Sequence, residues 1–168
     1  MKKSLLVLFM SAIALCSSSQ ITPKYQGEIE LGYSVGVGTF SSNRVILQTI
    51  QGAKIGDYFS AGFGLGINYY HELYSDVGSG ELFVPIFLNM KGYIPMTEEL
   101  TYFVSLDLGY GIGVTEGVSG WEGFLWSPSF GLRYHEFKFQ LGYTSQRVSE
   151  YGFGFNMNAF QFKIGVMF

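Results

Sequence analysis

The side chains able to do chemistry in this chain sit singly inside apolar stretches: Glu28, Glu30, Asp107, Arg133, Lys138 and Lys163. Ionised groups in such surroundings pair with one another, because a lone charge withdrawn from water is strongly unfavourable. A paired set in a restricted space is either a salt-bridged plug or a gate for protons or ions. Catalysis asks for more, namely a nucleophile or an activated water beside a positioned base. The two histidines occur as His71-Glu72 and His135-Glu136, with no Ser and acid arranged around either. A metal needs three or four converging ligands, which His71, Glu72 and Asp76 supply only through a special loop fold. No catalytic residue, metal site or cofactor is therefore expected. Gly62, Gly64, Gly66 and Gly109, Gly111, Gly113 are not a dinucleotide fingerprint, since its last glycines are further apart and a helix must follow.

The elements that hold these residues repeat with a period of two, the signature of strands. Ile29, Leu31, Tyr33, Val35 and Val37 oppose Glu28, Glu30, Gly32, Ser34 and Gly36. The same rule runs through 59–69, 102–113, 137–144 and 160–168. Three further segments, 44–54, 82–93 and 124–134, have strand length with a less regular alternation. In the second of them Val84, Ile86, Leu88 and Met90 point outward and Phe83, Phe87, Asn89 and Lys91 inward. Pro85, which cannot donate to a ladder, marks a local break there. Inward Phe83 and Phe87 pack over the bare backbone of the glycine-bearing strands. Eight strands with short links at 56–57, 95–99 and 135–136 alternate with longer ones at 71–80, 115–122 and 146–158. The expected fold is all-β, an eight-stranded antiparallel up-and-down transmembrane β-barrel.

Composition limits the alternatives. A chain of 168 residues with 14% charged and 18% aromatic residues is one ordered domain. Residues 1–19 read as a secretory signal, with Lys2 and Lys3 basic, residues 4–15 apolar and small residues at 16–19; residues 20–168 form the single barrel domain. Cys16 either leaves with that signal or, as an alternative, becomes a lipidated N-terminus. Without the leader, eight basic residues face thirteen acidic ones, a net charge of −5, so nucleic acid is not an expected partner.

The distribution of polarity between the faces separates a membrane barrel from a soluble one. A lipocalin-like barrel carries its continuous apolar set inside. Here the minor, inward set holds the charges, and the major set is aliphatic and aromatic, which suits acyl chains and in water would form one large sticky patch. Tyr33, Tyr69, Tyr93, Tyr102, Tyr134 and Tyr143 lie toward strand ends, where amphipathic rings form interfacial belts. Of the inward charges, Glu28, Glu30, Arg133, Lys138 and Lys163 fall in the periplasmic half. An eight-stranded interior is just filled by side chains, which favours the plug over the gate.

Terminal Phe168, preceded by Phe160, Phe162, Ile164, Gly165 and Val166, resembles the closing signal by which outer-membrane barrels are received by the barrel-assembly machinery. With the glycine-alternating strands, the chain resembles the small outer-membrane β-barrels typified by outer-membrane proteins A, X and W over nearly all of residues 27–168. The resemblance implies a monomer in a Gram-negative outer membrane with both termini periplasmic, in contact with lipid and lipopolysaccharide. A structural or surface-interaction role through the outer loops is expected, with exposed Trp121 and Tyr151 as anchors. The alternative is a narrow conduit or binding protein for small hydrophobic or ionic solutes.

Overall fold

The computed structural model describes residues 22–38, 42–71, 80–150 and 153–168. The expected signal segment, Cys16 and Tyr151 lie outside them. Eight strands follow one another: β1 (Lys24–Val37), β2 (Arg44–Ile55), β3 (Phe59–Tyr70), β4 (Glu81–Pro95), β5 (Leu100–Gly113), β6 (Glu122–Tyr134), β7 (Phe137–Glu150) and β8 (Phe153–Met167). Each pairs antiparallel with its neighbours, and β8 returns to β1 to close the barrel. Closure leaves no unpaired sheet edge. All five regular segments and all three less regular ones are strands. The short links at 56–58, 96–99 and 135–136 define a turn end of the barrel, shared by the start of β1 and the end of β8; the opposite end is the loop end.

The faces follow the alternation. Phe63 and Leu141 stand 70% and 64% exposed on the outside, while Glu28, Phe83, Lys91 and Lys138 are essentially sealed within. β2 reads less cleanly because two outward positions, Thr49 and Gln51, are polar. They bond to each other at 2.7 Å, Gln51 accepts from the Tyr25 hydroxyl, and Thr49 donates to the Glu28 carbonyl at 3.0 Å. Its inward face also carries Ile46 and Ile50. At Pro85 the β3–β4 pairing lapses between Leu65↔Ile86 and Asn68↔Phe83 without a change of register, as expected of a residue with no N–H. Pro128 coincides with a similar lapse between β6 and β7. The Phe87 ring covers Gly64 so closely that a Cβ there would lie 2.2 Å from it, and the Phe87 Cβ crowds Gly109 in the same way.

Three expectations are corrected. Residues 146–158 are not a long loop, because β7 runs to Glu150 and β8 starts at Phe153. Their alternation inverts: Arg147, Ser149, Gly154 and Asn156 face out, whereas Val148 and Met157 are buried inside. A wall that leaves the apolar zone turns polar side chains outward, and the apolar-out rule stops there. Tyr93 belongs to no outer belt, since the parity that turns Lys91 inward turns Tyr93 inward too, at 4% exposure.

Trp121 is the third. It is 3% exposed and joins Tyr70, Phe83, Val118, Val148 and Met157 in one apolar cluster at the loop end. The β5–β6 link folds into the mouth through a short 3₁₀ turn (Glu116–Val118), held by Gly113 N–H to the Trp121 carbonyl at 2.8 Å and Trp121 N–H to the Val118 carbonyl at 2.9 Å. Burying a large ring there removes more apolar area from water than an outward pose would, so Trp121 packs inside the loop-end mouth and is not an exposed anchor.

Candidate functional site: the ion cluster of the lumen

Alternation on five strands sends charge to one place. Glu28 and Glu30 come from β1, Lys91 from β4, Asp107 from β5, Lys138 from β7 and Lys163 from β8, and none exceeds 4% exposure. Lys138 forms ion pairs with both Glu28 and Glu30. Lys91 Nζ lies 2.8 Å from Glu28 Oε1, and Lys163 Nζ lies 3.1 Å from Glu30 Oε2 and 3.5 Å from Asp107 Oδ2. Three cations thus meet three carboxylates, and the cluster is neutral.

Polar neighbours complete it. Gln48 Nε2 donates to Glu30 Oε2 at 2.6 Å, and Gln26 Nε2 donates to Glu28 Oε1 at 2.8 Å. Asn89 donates through its amide to Asp107 and accepts from Lys91 Nζ at 2.6 Å. The Tyr93 hydroxyl takes the second Gln26 N–H at 2.8 Å and bonds Ser60 at 3.0 Å, tying the cluster to β3 and β4. Lys138 Nζ also lies over the Phe103 ring, 5.7 Å from its centroid. Every carboxylate oxygen of the two glutamates therefore has a donor, the condition under which buried charge is tolerated.

The structure brings together five of the six charges singled out in the sequence and leaves Arg133 out. Arg133 is half-buried at the turn end, donating from Nε to the His135 carbonyl at 2.6 Å. Its register partner across β6 and β7 is Lys138, and like charges directly opposite repel. Lys138 holds the glutamates, so Arg133 turns to the rim, where it helps line an open bowl of about 840 Å³ with Lys54, Glu98, Glu99 and Glu136. Lys91 takes the third cationic place. Its inward parity in β4 is legible from the sequence; that it reaches Glu28 across the lumen is not.

The charged groups of the cluster are all engaged in ion pairs. Ser105 and Ser129 bond each other at 2.7 Å. His71 stands at the loop end, its ring 5.2 Å from that of Tyr69, and His135 lies in the β6–β7 turn, 3.5 Å from Glu99. Among the described residues no three His, Cys, Asp or Glu side chains are grouped to hold a metal.

No protein-family model matches the chain, and no curated protein matches it in sequence. Solved structures do. Neisserial surface protein A (NspA) superposes with a TM-score of 0.62 at 11% identity, over 87% of this chain and 97% of that one. The outer membrane enzyme PagL gives 0.57 at 11% identity, over 82% and 98%. The N-terminal β-barrel domain of Pseudomonas aeruginosa OprF gives 0.53 at 15% identity, over 88% and 100%. The fold is that of the small eight-stranded outer-membrane barrels, a scaffold that carries different functions in different proteins.

Proposed function

We propose that the chain is an integral outer-membrane barrel with a permanently sealed lumen, acting as a structural or surface-interaction protein and not as a channel or an enzyme. The neutral ion cluster carries this reading. It spans the interior with three cations matched to three carboxylates, so the cluster itself holds no unmatched charge to attract a solute ion. The apolar cap of Trp121, Val118, Tyr70 and Phe83 adds a second barrier. The outward band of aliphatic and aromatic side chains, with Tyr33, Tyr69 and Tyr134 near its rims, supports residence in lipid, where only a closed barrel or a helix satisfies its backbone.

In that setting the turn end, with the start of β1 and the end of β8, faces the periplasm, and the loop end meets lipopolysaccharide. The closing strand carries Phe160, Phe162, Ile164, Gly165, Val166 and Phe168 as the assembly signal, and Phe168 is clamped to Gly27 by two backbone hydrogen bonds of 2.7 and 2.9 Å. Planar-bilayer recording tests the seal. The purified protein is expected to be electrically silent, and reproducible open channels from the unsubstituted chain would sink the reading.

A further inference from the structure

Between the ion cluster and the apolar cap lies a cavity of about 20 Å³, bounded among others by Arg44, Asn68, Asp107, Ser127, Thr144 and Lys163. Arg44 is 2% exposed. Its Nη1 donates to the Tyr70 hydroxyl, and its Cζ lies 5.3 Å from the centre of the Tyr70 ring. Among the described residues no carboxylate comes within ion-pair distance of it. Among the described residues its Nε–H and the Asn68 Oδ1 are buried and have no hydrogen-bond partner. A buried guanidinium needs hydrogen-bond acceptors for its N–H groups beyond the one Tyr70 hydroxyl.

The chemistry of the lining selects the occupant. Arg44 and Lys163 present donors, while Asn68 Oδ1 and Asp107 present acceptors. An anion would meet the Asp107 carboxylate, and a metal cation would meet Arg44 and Lys163. A molecule that both accepts and donates suits all four, and a cavity of roughly 10–15 Å³ is enough for one water. We propose that the cavity is a built hydration site for a single water, which accepts from Arg44 Nε–H and donates to Asn68 Oδ1. This rests on the sealed-lumen reading and deepens it: the seal is two barriers, ionic and apolar, with a hydrated compartment between them.

Water-edited solid-state NMR on the full chain in lipid bilayers tests the site, with arginine and asparagine isotopically labelled. Transfer from water protons to the Arg44 Nε–H is expected in the unsubstituted protein and should fall several-fold in Asn68→Leu. Folding of that variant is checked by the mobility difference between unheated and boiled samples on a detergent gel. Absence of transfer in the unsubstituted protein overturns the proposal whether or not the variant folds. Unchanged transfer in a folded Asn68→Leu overturns the assignment of Asn68 as acceptor. Crystals grown in bromide that show an anomalous peak beside Arg44 would put an anion there instead. A conducting protein in bilayer recordings would remove the sealed lumen itself, and that measurement is independent of the NMR result.

Discussion

Lys138 of β7 reaches past β8 to the carboxylate of Glu30 in β1, joining residues 108 positions apart in sequence. The same ammonium holds Glu28, so one side chain ties both glutamates across the seam where the barrel closes.

Removing that cation leaves two buried carboxylates with only Lys91 and Lys163 between them. Lys138→Met is expected to destabilise the barrel by about 3–5 kcal/mol, the usual cost of breaking a buried pair from one side. Adding Glu30→Leu should recover part of that loss, because the orphaned charge goes too. Urea titrations in lipid, read by gel mobility, measure both; a double variant no more stable than Lys138→Met alone would show that the pair is not coupled.

Charge removal should also affect the seal. Lys138→Ala with Glu28→Ala opens space within the cluster and is expected to produce brief conductance events where the unsubstituted chain gives none. Continued silence would assign the barrier to the apolar cap.

The two tryptophans face opposite environments, Trp121 buried in the cap and Trp126 40% exposed on the outer wall. With Trp126→Phe, the remaining fluorescence of Trp121 should resist both acrylamide and brominated acyl chains. With Trp121→Phe, brominated lipid should quench Trp126 strongly. Ready quenching of Trp121 by acrylamide would place it outside the mouth.

Phe87 occupies the space above Gly64, so Gly64→Ala forces the ring to move. A loss of about 1–3 kcal/mol is expected from overpacking, and Phe87→Leu in the same chain should return much of it. Denaturation midpoints for the two singles and the double check this; additivity would mean the contact is unimportant.

Leu141, facing outward between Phe130 and Phe162 in register, tests the lipid band. Leu141→Arg should cost about 2–4 kcal/mol if that position lies near the bilayer midplane, whereas Ser149→Arg on the protruding part of β7 should be close to neutral. Equal effects would contradict the membrane placement of the wall.

How much of this was readable in the chain differs from feature to feature. Period-two alternation assigned the residues of 28–37, 59–69, 102–113 and 160–168 to faces, because successive side chains of a strand point to opposite sides whatever surrounds them. It also put Glu28, Glu30, Asp107, Lys138 and Lys163 inside together. Alternation failed at 146–158 because the strands there pass into a region where the polar side faces out. It misled at Trp121, since a link without periodicity carries no sign of folding inward.

The existence and number of the strands, and the inward parity of Glu28, Glu30, Lys91, Asp107, Lys138 and Lys163, follow from the amino-acid order, as consequences of local geometry and of where apolar surface can be hidden. The partners, by contrast, are set by the folded barrel. Which cation reaches which carboxylate depends on the register and stagger with which eight strands close, and that closure sent Arg133 to the rim, brought Lys91 onto Glu28, folded Trp121 into the mouth and left Arg44 without a counter-ion among the described residues. Parity is a property of each strand alone, whereas a salt bridge across a barrel is a property of all eight.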